Sequence, residues 1–263
     1  MSTASVDGDL LPVQGVSTLL RREGSGRPVL YLHGAFFPTA WTGLHDELSA
    51  RFDLLAPVHP GYVEGGPPDW LLGFDDLVLH YRALLDELDV GQVDLVGYGL
   101  GAWIAANVAS FHPDRVRSLV AIAPMGLWMP DAPMLDFLGC SPERRIAAVF
   151  NGDPGGHETL FPDPGDIDSF IDGYGQDGVT ARLIWERRYD TRLARRLGQL
   201  TAPALVLAPS EDRVVPLAHA ARWAELLPDG RLVTIADTGH GLVVQAPDRV
   251  ARAIGDFLEE VPA

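Results

Sequence analysis

Three short stretches carry the residue types from which proton-transfer chemistry is built. Val93 to Gly101 reads VDLVGYGLG, an apolar run, a glycine-flanked turn and the start of an apolar helix. In a GxSxG corner of this kind the central serine presents its hydroxyl above a sheet, and the flanking glycines let strand and helix pack closely. Gly97 and Gly101 keep that frame, but the central position is Gly99, so the corner lacks its nucleophile. Asp212 follows the apolar run ALVLAPS, and His240 follows RLVTIAD. Loops after parallel strands converge at one edge of an open sheet. There the Asp212 carboxylate would hold His240 in one tautomer and stabilise its protonated form, while the imidazole takes and returns a proton.

Such a site also needs donors for developing negative charge. The Leu100 amide, at a helix N-terminus, would supply one, and the loop after PVLYLHG, at Ala35 or Phe36, the other. His33 in that loop reads as a structural histidine bonded to nearby backbone, since one well-placed base suffices. GYGLGA, residues 97–102, also fits the dinucleotide fingerprint GxGxxG/A. That fingerprint requires an acidic residue at the end of the next strand, where this chain has Ala123-Pro124-Met125. Cys140 is the only cysteine, which excludes an intrachain disulfide and a thiolate metal site and leaves it as a small buried filler. DPGDIDSFIDG, from Asp163, is rich in Asp but lacks the calcium-loop register, and reads as a solvated loop. No metal and no cofactor is expected.

The elements that must position these residues alternate along the chain. Strand candidates are residues 17–22, 28–34, 52–58, 93–98, 116–124, 204–210 and 231–237; helix candidates lie near 40–50, 74–88, 100–111, 216–227 and 247–258. This is the pattern of an α/β fold, a parallel sheet with helices on both faces. From about Gly126 to Gln199 the alternation breaks. A structureless loop of that length is improbable in a compact domain, so residues 126–199 are expected to form a helical cap, with one helix in SPERRIAAVF and a longer one around Thr180 to Arg196. Residues 1–125 and 200–263 would make the core. Trp128, Phe137, Phe150, Tyr174 and Trp185 in the cap, with Phe36, are the candidates for an apolar substrate pocket.

Composition narrows the partners. A formal net charge of −16 disfavours nucleic acid and anionic membranes, both of which require a positive patch. With 47% hydrophobic and 21% charged residues the chain reads as a globular enzyme with a small-molecule substrate, a homodimer being compatible with it. MSTASVDGDLLP lacks a basic stretch followed by an apolar core, so no secretory signal is expected and cytoplasm is the default location.

The order elbow, Asp212, His240, together with APVHPGYVEGG, PDW, DDL and LVGYGLGAWIAANVA, resembles the α/β-hydrolase family, in particular capped bacterial carboxylesterases and carbon–carbon bond hydrolases. The resemblance covers nearly the whole chain. It implies an eight-stranded, mostly parallel sheet, Asp212 as acid, His240 as base, and Ala35 with Leu100 as oxyanion donors. At Gly99 the chain departs from the family. The expected activity is therefore on a small, largely apolar ester or carbon–carbon substrate, either through activated water or impaired. The alternatives are a lyase, isomerase or cyclase with His240 as general base, and a ligand-binding pseudoenzyme.

Overall fold

The computed structural model describes residues 8–63, 66–163 and 165–262. Residues 1–7, the larger part of the segment read for a secretory signal, lie outside the described residues. The elements are β1 (Asp9–Val13), β2 (Val16–Glu23), β3 (Pro28–Leu32), α1 (Gly43–Ser49), β4 (Asp53–Pro57), α2 (Phe74–Glu87), β5 (Val93–Tyr98), α3 (Leu100–Phe111), β6 (Val116–Ile122), α4 (Pro142–Val149), α5 (Ile167–Ile184), α6 (Leu193–Leu197), β7 (Ala204–Pro209), α7 (Leu217–Leu226), β8 (Gly230–Ile235), α8 (Leu242–Gln245) and α9 (Pro247–Glu260). The eight strands form one sheet in the order β1-β2-β4-β3-β5-β6-β7-β8. β2 runs antiparallel to both β1 and β4, and every other pairing is parallel.

The first strand was not expected from the sequence. Its outward residues are exposed and it contains Pro12, so its apolar signal is weak, and it is held as an edge by a tight hairpin to β2. Gln14 and Gly15 make that turn with φ of 49° and 82°, the left-handed pair that a two-residue hairpin requires. The central strands β3, β5, β6 and β7 are buried almost throughout, as strands covered on both faces must be. α3 is buried from Leu100 to Ala109 and packs against β5 and β6 beneath the elbow.

At the opposite, amino-terminal edge of the sheet an ion cluster ties three strands and the C-terminal helix together. Asp94, wholly buried on β5, accepts from Arg27, from Arg117 at 2.9 Å and from the Ser118 hydroxyl at 2.6 Å. Arg27 also donates to the carbonyls of Leu258 and Val261 at 2.9 and 2.7 Å. Every acceptor of the Asp94 carboxylate is occupied, the condition under which a buried charge is tolerable.

The chain between β6 and β7 carries α4, α5 and α6. The helix expected around Thr180 to Arg196 lies elsewhere: α5 runs from Ile167 to Ile184, and a turn precedes the short α6. The Asp-rich stretch is not simply a loop, because the Asp166 carboxylate accepts from the amides of Asp168 and Ser169 at 3.0 and 3.4 Å and so caps α5. Gly173, Gly175 and Gly178 lower the helix propensity of this segment and hide it from a sequence reading. α6 packs back on α3 and α7, with Arg196 donating to Asn107 at 2.7 Å.

Candidate active site

β5 ends at Tyr98, and α3 begins at Leu100, so Gly99 makes the corner alone, with φ 54° and ψ −109°. A side chain is strained in that conformation, by about 1 to 3 kcal/mol. The flanking glycines answer a different need. A Cβ at Gly97 would fall 2.4 Å from the Gly101 carbonyl oxygen, and one at Gly101 would fall 2.0 Å from that of Leu32. At Gly99 itself a Cβ would meet only ordinary contacts, His240 Nε2 at 3.4 Å and Met125 Sδ at 3.8 Å. The corner thus has room for a side chain and aims it at the histidine.

The histidine is held in one tautomer. His240 Nδ1 donates to Asp212 Oδ2 at 2.8 Å, which leaves the Nε2 lone pair facing Gly99. The other Asp212 oxygen accepts from the amides of Val214 and Val215, both at 2.8 Å. These bonds follow from the loop after β7 folding back on its own carboxylate. Both side chains are 1% exposed. Tyr98, beside the elbow, donates its hydroxyl to the His240 carbonyl at 3.0 Å and so ties the histidine loop to β5.

The structure brings together Gly99, Leu100, Asp212, His240, Phe36 and Phe137. The Phe36 ring meets His240 edge-on at 5.5 Å and packs on Phe137 at 5.2 Å. The Leu100 amide is the first of α3 and has no acceptor within its helix. Ala35 sits half-buried in the loop after β3, just before Phe36. Phe150 lies one layer out, against Phe37 at 5.9 Å and Phe161 at 5.9 Å. Trp128, Tyr174 and Trp185 do not join this group. They are 54%, 75% and 74% exposed, and Trp128 and Trp185 line a separate surface cleft, where Trp128 packs on Tyr189. An aromatic in the insertion is not placed in the pocket by its composition alone; the fold of the insertion decides.

Phe37, Phe161, Met125 and Tyr98 belong to the site region and were not singled out from the sequence. The doublet Phe36-Phe37 directly after His33-Gly34-Ala35 is the one signal that could have pointed to Phe37. His33 is structural: its Nε2 accepts from the His59 amide at 2.9 Å, so Nδ1 carries the proton and donates to the Gly34 carbonyl at 2.8 Å. Burial lowers its pKa to about 3 and keeps it neutral. Cys140 is half-buried with its thiol on the Phe137 carbonyl. Among the described residues no three His, Cys, Asp or Glu side chains are grouped to hold a metal ion, and no helix is long and apolar enough to cross a membrane.

An eight-stranded sheet with an elbow after β5, an acid after β7 and a histidine after β8 defines a class of α/β enzyme. The chain belongs to the alpha/beta hydrolase family, whose model matches residues 29–253, and it is a hydrolase-like enzyme of that family. It is similar to 2-hydroxymuconate semialdehyde hydrolase of Pseudomonas sp. (strain CF600), 29% identical over 95% of this chain and 93% of the relative. A second relative is 2-hydroxy-6-oxo-2,4-heptadienoate hydrolase of Pseudomonas putida, 26% identical over 95% of this chain and 96% of the relative. Among solved structures, a meta-cleavage product hydrolase from Pseudomonas fluorescens IP01 superposes with a TM-score of 0.79 at 20% identity, covering 98% of this chain and 99% of that one. A thermophilic esterase from Thermogutta terrifontis gives 0.70 at 23% identity over 94% and 95%.

Proposed function

We propose that the chain acts on a small, largely apolar ester or carbon–carbon carbonyl substrate without a covalent intermediate, with His240 as general base and Asp212 as its orienting acid. The observation that carries this is the lone pair of His240 Nε2, 3.4 Å from the point where a side chain at Gly99 would begin. Water in that space would give its proton to Nε2 while its oxygen attacks the substrate carbonyl carbon. The oxyanion so formed would be met by the amides of Leu100 and Ala35. Collapse breaks the bond to the leaving group, which receives the proton back from His240. Phe36 and Phe137 would give the substrate its apolar contact. Residues 126–199 act as the cap in this reading, with Phe137 packed on Phe36 beside His240. The names of the relatives favour a semialdehyde or dienoate carbonyl compound over a simple ester.

The burial of His240 favours a second reading, a lyase or isomerase in which its imidazole removes a substrate proton in a site that excludes water. Hydrolysis of chromogenic esters and of a vinylogous diketone by the parent, Gly99→Ser and His240→Ala separates the cases. Turnover in the parent that is lost in His240→Ala, with no covalent labelling by a fluorophosphonate, is expected. Parent turnover that survives in His240→Ala sinks the proposal. Activity and labelling that appear only in Gly99→Ser would reduce the parent to a hydrolase frame without its nucleophile.

A further inference from the structure

A cavity of about 430 Å³ opens between β2, β3, β4, the loop after β3 and the insertion, and neither Gly99 nor His240 lines it. Phe37 lines it, while the adjacent Phe36 does not and packs on His240 instead. Its walls combine apolar surface with hydrogen-bond donors that have no protein partner. The Tyr31 phenol is 96% buried by its residue exposure of 4%, and its hydroxyl has no partner among the described residues. His45 is 6% exposed; its Nδ1 accepts from the Thr42 amide at 3.1 Å, so the proton resides on Nε2, which likewise has no partner among the described residues. Neither atom is sealed from solvent, so both are open to an occupant of the cavity.

The charge in the cavity is Arg21. Its guanidinium lies 3.7 Å over the Trp41 ring, which stacks on His45 at 4.8 Å, and the His45 ring meets Tyr31 edge-on at 4.6 Å. Two carboxylates belong to this neighbourhood, and both are engaged: Glu23 sits 3.5 Å from Arg21 on the outer surface, and Asp46 accepts the Trp41 indole at 2.7 Å. Burial lowers His45 to about 4, with Arg21 contributing in the same direction, so at neutral pH it is an uncharged donor beside a cation. One cation, two neutral donors and an aromatic wall match a flat organic anion.

We propose that this cavity is a binding site, separate from the Gly99–His240 site, for a small amphipathic carboxylate whose carboxyl group takes Arg21, the Tyr31 hydroxyl and His45 Nε2–H. The assignment stands apart from the catalytic reading, and its experiment does not depend on turnover. Phenylacetate and the neutral phenylacetamide serve as probes in calorimetric titrations of the parent, Arg21→Gln, Tyr31→Phe and His240→Ala, each checked for an unchanged fold by circular dichroism. The parent binds one phenylacetate and takes the amide at least tenfold more weakly. Arg21→Gln and Tyr31→Phe each weaken phenylacetate about tenfold, as loss of a bond to a charged group does, and His240→Ala leaves it unchanged. Absence of binding in the parent overturns the site. So does equal affinity in Arg21→Gln and Tyr31→Phe, and loss of binding in His240→Ala would move the probe into the catalytic space.

Discussion

Three glycines within five residues do two different things, and mutation separates them. Gly101→Ala drives a Cβ into the Leu32 carbonyl and pushes α3 off the sheet. Gly99→Ala or Gly99→Ser meets no obstruction and pays only backbone strain. The urea midpoint of Gly99→Ser is expected to fall by the equivalent of about 1 to 3 kcal/mol, and that of Gly101→Ala by more. Equal midpoints for Gly99→Ser and the parent would show that the corner relaxes around a side chain. Asp212→Asn is expected to lower turnover strongly while leaving the fold intact, because an amide in place of the carboxylate cannot steady a protonated His240. Gly99, Asp212 and His240 were legible in the sequence because each sits at a strand end whose apolar run is plain. Phe37 and Phe161 were not, since their meeting depends on how two loops far apart in the chain fold over one edge.

Helices that alternate with strands are read easily, and those of the insertion are not. α3 and α9 fall within a residue or two of expectation, because strong apolar character in one and amphipathic spacing in the other leave little choice. α5 is displaced by more than ten residues because three glycines interrupt its pattern and its cap, Asp166, lies among other acidic residues. The ion cluster on β5 was equally hidden, since its partners come from the turn before β3, from β6 and from the chain end. Asp94→Ala would leave Arg27 and Arg117 without their shared counter-charge and is expected to cost about 3 to 5 kcal/mol. A loss under one kcal/mol by chemical denaturation would mean that water reaches the two guanidiniums.

Four of the six buried histidines give the folded molecule a pH limit. Burial lowers His33 to about 3, His45 and His80 to about 4, and His59 well below its ordinary value. In the unfolded chain each would titrate near 6.5. Above that pH they are neutral in both states and contribute no pH dependence. As pH falls from 6.5 toward 4 the unfolded chain binds protons that the folded one refuses, and stability drops by about 1.4 kcal/mol per pH unit for each such group. Urea midpoints at pH 7.5, 6 and 5 should fall in step, and a flat profile across that window would show the histidines to be solvated. The sheet that encloses them was legible from alternation alone, save for its first strand, whereas their burial followed from packing that no local pattern records.

The room left at Gly99 has an evolutionary reading. A glycine codon ending in C or T becomes a serine codon by a single base change, and the corner already carries the strained backbone, the aimed histidine and the clearance such a residue needs. With such a codon, a single base change would place a hydroxyl beside His240 Nε2. Laboratory selection for ester hydrolysis starting from this chain should find position 99 first.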